Sequence, residues 1–219
     1  MISEVLAIAV AYLVGAIPFG LLVAKLQKGI DIREHGSGNI GTSNVLRTLG
    51  KRAALLTLAG DILKGYLPIL LARGLGVSEL WMTVVGLAAV IGHNWPVYAG
   101  FRGGKGVATS FGASLGIMPG MAGLALLVYI VVATMARYTS LAALISSASL
   151  LLWVHLFKAS RAQVLFAAIA AALIYLRHRE NIQRLLRGTE RKIGQRVGVR
   201  GREQSAPGSM ESGPRLAWR

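Results

Sequence analysis

Three polar stretches of this 219-residue chain carry side chains that can do chemistry, and each interrupts an otherwise apolar sequence. The first is GSGNIGTSNVLRTLG at 36–50. Gly36, Gly38 and Gly41 let backbone N–H groups approach an anion, and Thr42–Ser43 can cap a short helix whose positive end points to the same place. Ser37, Asn39, Thr42, Asn44 and Arg47 add five side-chain donors, with Asn44 and Arg47 three residues apart on one helix face. The pattern makes a donor-rich concavity suited to phosphate. The plain alternative is a polar turn leading into a capped helix, which would not need five side-chain donors.

The second stretch, GHNWPVYAGFRGGKGVAT at 92–109, places Gly103, Gly104, Lys105 and Gly106 directly before the apolar segment that opens at Val107, with Thr109 in its first turn. A glycine loop with a lysine at a helix N-terminus uses the same device as a P-loop. The full spacing of glycine, four residues, then Gly-Lys-Ser/Thr is absent, so a bare phosphate or an acyl phosphate fits better than a nucleotide. His93 and Asn94, at the end of an apolar run, serve either interfacial hydrogen bonding or catalysis; Trp95 and Tyr98 read as interface anchors. The third stretch is RHRENIQRLLRGTERKIG at 177–194. His178, Asn181 and Arg184 recur at helical spacing and face one way, unless the segment is only a basic surface helix. Asp61 and Lys64 stand apart from these loops, at i and i+3 within an apolar run, where an unpaired charge is costly. They are expected to pair with each other or with an opposing loop.

The elements that must hold these groups are membrane helices. The chain is 54% hydrophobic with a mean hydropathy of +0.57 and 15% charged residues, too apolar for a soluble domain of this length. Its apolar residues come in runs approaching the roughly 20 needed to cross a hydrocarbon core of about 30 Å. Spans are expected at 4–26, 53–73, 79–98, 107–117, 120–136, 139–157 and 161–176, an all-α polytopic integral membrane protein of about seven transmembrane helices. The segment 107–117 rises only about 16 Å and reads as a possible half-span; Gly112, Gly116 and Gly120 point to close packing there. The first span lacks the basic flank of a signal peptide and is read as retained. The absence of Cys excludes disulfides, thiol nucleophiles and Cys-ligated metals.

Lys and Arg assign the sides. Lys25, Lys28, Arg33, Arg47, Lys51 and Arg52 follow the first span, Arg102 and Lys105 the third, Arg137 the fifth, and the basic C-terminal stretch the seventh; the opposite joints hold only Arg73, Lys158 and Arg161. Positive-inside asymmetry puts the N-terminus outside and the C-terminus in the cytoplasm, so all three polar stretches converge on the cytoplasmic side. Residues 1–194 read as one membrane-embedded domain. Residues 195–219 read as a basic Gly/Ser/Pro-containing tail held near anionic lipid rather than nucleic acid.

Taken in order and spacing, GSGNIGTSNVLR, the 92–109 loop and RHRENIQRLLRGTE, with GDILKG at 60–65, resemble the three motifs of the bacterial acyl-phosphate:glycerol-3-phosphate acyltransferases. The resemblance spans about residues 5–194. It implies an enzyme of phospholipid synthesis in the bacterial cytoplasmic membrane, acting on the cytoplasmic side. Such an enzyme moves a fatty acyl group from acyl phosphate to the sn-1 hydroxyl of glycerol 3-phosphate, giving lysophosphatidate and phosphate. It also implies that Ser37, Arg47, Lys105, His178 and Asn181 occupy active-site positions and Glu190 a structural one, with no cofactor and no metal. The residue chemistry is compatible: an acyl phosphate is an activated anhydride that needs positioning and charge stabilisation. Five residues beyond each histidine stand Ile40, Tyr98, Ser160 and Gln183, so no HxxxxD spacing occurs. The rival readings are a transporter of phosphate or phosphate esters, which would show internal repeats and mid-membrane polar groups, and a non-catalytic lipid-binding protein. Acyl-chain preference and oligomeric state are not legible.

Overall fold

Apolar runs of this length in lipid must satisfy every backbone N–H and C=O internally, and helices do so. The computed structural model describes residues 2–195, and every regular element among them is helical: α1 Ile2–Gly15, α2 Phe19–Lys28, α3 Thr42–Leu49, α4 Lys51–Gly74, α5 Glu79–Asn94, α6 Val107–Ile117, α7 Pro119–Ala136, α8 Thr139–Leu156, α9 Arg161–Arg177 and α10 Arg179–Leu186. Apart from Gln195, the tail at 195–219 lies outside the described residues.

Five stretches are long and apolar enough to cross a membrane: Ile2–Lys28, Lys51–Gly74, Glu79–Ala99, Pro119–Ala136 and Thr139–Leu156. The 11-residue α6 is a shorter apolar helix, as its length required, and the 17-residue α9 rises about 26 Å. The protein is an all-α polytopic membrane protein. One expected element differs, because the first span is two helices rather than one. Pro18 lacks an N–H and biases Ile17 away from helical geometry, so the chain breaks between Gly15 and Phe19, where the Ile17 carbonyl accepts the Phe19 N–H across a tight turn at 3.1 Å.

The surface and core are arranged for lipid. Leu55, Leu56, Leu63, Leu67, Leu70 and Leu71 of α4 face outward, while Ala7, Ala11, Ala72, Ala88, Ala89, Ala113, Ala167 and Ala170 form much of the core. Small residues let backbones approach where there is no hydrophobic drive between helices. The closest approach joins α4 to α6. A Cβ at Gly65 would run into the Thr109 carbonyl, one at Gly112 into the Ile62 carbonyl, and one at Gly116 would lie 2.7 Å from Ile69 Cγ2. Gly120, expected to take part, has open space around it.

This contact seats α6 deep against α4 and fixes the loop that precedes it. Gly112→Leu is therefore expected to lower the melting temperature in detergent by the equivalent of about 1–3 kcal/mol of overpacking. Gly123→Leu on α7, with nothing within 4 Å of its Cβ position, should melt as the parent does.

Candidate active site

The first polar stretch folds around Asn44, which is buried at the start of α3. Its Nδ2 donates to the carbonyls of Ile32 (3.3 Å), His35 (3.0 Å) and Asn39 (2.8 Å), and its Oδ1 accepts the Ser37 N–H at 2.8 Å. Gly36, at φ +64°, has no room for a Cβ beside the Asn44 amide. Asn44 therefore shapes the loop, and its amide has no donor left for a phosphate. Helix α3 starts at Thr42 with Gly41 in the capping position and no side-chain cap, so the expected hydroxyl cap does not form. Thr42 Oγ1 is instead buried without a protein partner beside the cavity described below. Asn39 Oδ1 accepts the Gly41 N–H at 2.8 Å. Arg33, paired to Asp31 at 2.6 Å, donates to the Ala99 carbonyl at 3.0 Å and so ties this loop to the second one.

In the second stretch the glycines answer a different need from the one their spacing implies. A Cβ at Gly103 would meet the Asn94 carbonyl at 2.5 Å, one at Gly104 would run into the His93 ring, and one at Gly106 would lie 2.8 Å from Asn94 Oδ1. The loop thus lies flat on the end of α5, and Gly106 at φ +77° turns it into α6. Arg177 clamps it from the other side, with Nε to the Gly104 carbonyl at 3.0 Å and Nη2 to that of Gly103 at 3.1 Å, while its guanidinium lies over the Trp95 ring at 5.4 Å. Thr109, expected to bind phosphate, is fully buried and lines no part of the cavity, because the helical turn that brings Ser110 to the cavity directs Thr109 toward α4.

The third stretch is not one helix running out of the span. His178 occupies the joint between α9 and α10, and its Nδ1 lies 2.8 Å from the Ile174 carbonyl. A carbonyl only accepts, so Nδ1 carries the proton and Nε2 keeps a lone pair. Asn181 Oδ1 accepts from the Lys105 ammonium, and its Nδ2 donates to Glu190 Oε1 at 2.7 Å. Glu190 Oε1 also takes the Ser140 hydroxyl at 2.9 Å, and Oε2 takes Arg184 Nε at 2.7 Å. Arg47 donates to the Arg191 carbonyl at 3.2 Å, which closes the ring between the first and third stretches.

All three stretches line one cavity of about 1240 Å³. Its mouth carries Ser37, Thr42, Arg47, Lys105, Arg177, His178, Asn181, Arg184 and Glu190; below, it continues between α6, α7, α8 and α9 past Phe111, Leu126, Tyr129, Ala143, Leu150 and Ile174. Burial, with Arg184 and Arg177 close by, lowers the Lys105 amine to about 8 against the pull of Glu190. Burial and the Lys105 charge lower His178 to about 4. Burial alone would raise the Glu190 carboxyl, but hydrogen bonds from Arg184, Asn181 and Ser140 hold it below its usual range. Two contributors escaped the sequence reading. Arg177 stands in a run of cations that bears on His178 but gives no sign of its clamp on the Gly103–Gly104 backbone, and Ser140 carries no local signal. Lys64 and Asn94 lie outside the cavity lining.

Residues 5–188 match the family described as glycerol-3-phosphate acyltransferase. The chain belongs to this family. Among glycerol-3-phosphate acyltransferases, that of Geobacter sulfurreducens is 45% identical over 193 residues, covering 88% of this chain and 99% of its own. That of Rubrobacter xylanophilus is 47% identical over 195 residues, covering 89% and 98%. The crystal structure of PlsY (YgiH), an integral membrane glycerol 3-phosphate acyltransferase, in its glycerol 3-phosphate form matches with a TM-score of 0.84 at 42% identity, over 88% of this chain and 96% of that one. Its lysophosphatidic acid form gives 0.82 at 41%, with the same coverage.

The charge state of Lys105 sets an expected pH dependence. An amine is charged below its pKa, so anion binding is complete below about 8 and weakens as pH rises through it. Glycerol 3-phosphate is already a dianion over this range, its second ionisation lying at about 6. Its affinity, titrated calorimetrically from pH 7 to 9.5, should fall with an inflection near 8 in the parent and stay flat in Lys105→Arg, which remains charged. A parent profile as flat as that of Lys105→Arg over the same range would contradict the assignment to Lys105.

Proposed function

We propose that this chain transfers a fatty acyl group from acyl phosphate to the sn-1 hydroxyl of glycerol 3-phosphate. The products are 1-acylglycerol 3-phosphate, which is lysophosphatidate, and inorganic phosphate. The observation that carries the reading is the double nature of one cavity: a mouth with Arg47, Lys105, Arg177 and Arg184, continuous with an apolar arm between membrane helices. A ligand with an anionic head and an alkyl chain fits the whole of it, and the mouth has cations for a second phosphate. The relatives' glycerol 3-phosphate and lysophosphatidic acid forms support the acceptor and the product. The concentration of Lys and Arg at the end carrying the three stretches supports a cytoplasmic active site in the bacterial inner membrane.

The donor follows from what the site supplies. A stable thioester would call for stronger activation, whereas an acyl phosphate brings its own leaving group and needs mainly charge stabilisation and alignment. In the step proposed, the glycerol hydroxyl oxygen bonds to the acyl carbon, the bond from that carbon to the phosphate oxygen breaks, and the hydroxyl proton goes to a phosphate oxygen. Lys105 and the arginines neutralise the leaving phosphate. His178 Nε2 accepts the hydroxyl hydrogen bond and aims the nucleophile. With His178 near 4 and a phosphate near 6, the substrate's own phosphate is the stronger base. Ser37 contributes its position in the mouth; among the described residues its hydroxyl meets no base, which argues for direct transfer without an acyl-enzyme.

The test is purified protein in detergent, given glycerol 3-phosphate with acyl phosphate or with acyl-CoA, and assayed for lysophosphatidate. Product is expected from acyl phosphate alone. Lys105→Ala and Arg47→Ala should each lower kcat/KM at least ten- to a hundredfold, since a charge-assisted contact contributes about 1.5–3 kcal/mol. Near-normal turnover in both would sink the phosphate assignment, and equal use of acyl-CoA would remove the donor assignment.

A further inference from the structure

We infer that the membrane-buried set Asp61, Lys64 and His93 is a positioning unit, holding the Lys105 loop in register and tying it to the break in the first span. The inference rests on the reaction proposed above. Lys64 and Asp61 are each 2% exposed and His93 3%. Lys64 Nζ lies 2.8 Å from Asp61 Oδ1 and donates at 2.7 Å to the Ile17 carbonyl, which stands in the break between α1 and α2 and also takes the Phe19 N–H. It also sits over the Phe19 ring at 5.7 Å. On the other side, His93 Nδ1 lies 3.5 Å from the same Asp61 oxygen. The His93 ring is the surface on which Gly104 rests, and its carbonyl accepts the Gly104 N–H at 3.0 Å. One continuous line therefore runs from the α1–α2 break through Lys64, Asp61 and His93 to the backbone beside Lys105.

Electrostatics argues against a direct role for this set in holding phosphate. The Asp61–Lys64 pair is neutral as a unit, so it adds no attraction for an anion; Asp61 and His93 reach the cavity lining, but the one cation of the set, Lys64, lies outside it. Two charges buried at membrane depth are costly and yield to apolar residues of similar size where only stability is at stake. What this pair does that an apolar pair cannot is hold the Ile17 carbonyl through Lys64 on one side and face the His93 ring with a carboxylate oxygen on the other. Gly104 has no side chain of its own, so the depth of the Lys105 ammonium is set by the ring beneath and by Arg177 above.

The double variant Asp61→Asn/Lys64→Met removes both charges together and leaves neither unpaired. It is expected to melt within a few degrees of the parent. The Michaelis constant for one of the two phosphate substrates should rise about ten- to a hundredfold, the cost of a misplaced contact, while that for the other changes far less. The alkaline inflection near 8 assigned to Lys105 should move. Lys64→Arg, still able to bridge Asp61 and Ile17, should restore most of the affinity. Unchanged Michaelis constants and an unmoved inflection in a folded double variant would overturn the inference. So would a uniform loss of kcat and both affinities in step with melting, which is the mark of a purely structural pair. Failure of the parent protein to make lysophosphatidate would instead overturn the reaction itself.

Discussion

Glu190 sits among Lys105, Arg47 and Arg184 at the edge of the apolar slab, and its carboxylate is what lets those cations share one mouth. Three like charges brought together without it would repel, and each would lose water on entering a half-buried site. Both Glu190 oxygens are occupied, by Ser140 and Asn181 on one and Arg184 on the other. The charge therefore acts through oriented bonds rather than as a loose counter-ion. Asn181 passes the constraint on to Lys105, and Arg47 reaches the carbonyl next along the chain. Helices α8 and α10 thus meet at one residue that belongs to no helix, and the loop before α6 is joined to it through Asn181.

The cavity's geometry follows from that meeting point. The apolar arm mixes small lining residues, Ala122, Ala125, Ala143, Ala170 and Ala171, with larger ones such as Phe111, Tyr129 and Leu150, and the small ones leave space between the helices. Near neutral pH the lysine, lowered to about 8, still carries its charge and the histidine is neutral. A bound phosphate favours the charged form of the amine beside it and so holds that charge to higher pH.

Much of this was legible in the sequence. The apolar runs have the length that lipid demands, and α4 to α9 begin and end close to where Pro, Gly and charged residues said they would. The short α6 was visible from its eleven residues, and its packing from Gly112 and Gly116. The pairing of Asp61 with Lys64 followed from the cost of leaving either alone. What one-dimensional spacing could not supply was direction. Asn44 reads as one more donor, yet its amide is spent inside the loop. Gly103, Gly104 and Gly106 look as if they exist for the ligand, yet each is also needed because α5 ends directly beneath it. Thr109 is one residue from the cavity and points away. Ser140, fifty residues from Glu190, has no neighbour in sequence to hint at its bond.

The most direct test of Glu190 as the organising group is the dissociation constant of glycerol 3-phosphate for purified Glu190→Gln protein, measured by calorimetry beside a melting curve. A carboxamide keeps the volume and can still accept from Ser140 and Asn181, but it removes the charge and the bond to Arg184. If Glu190 orients the cations, binding weakens by about tenfold, the scale of one lost charge-assisted bond, even though the site becomes more positive. Binding as tight as the parent's, or tighter, in a folded variant would show that Glu190 only offsets charge, and would contradict the account.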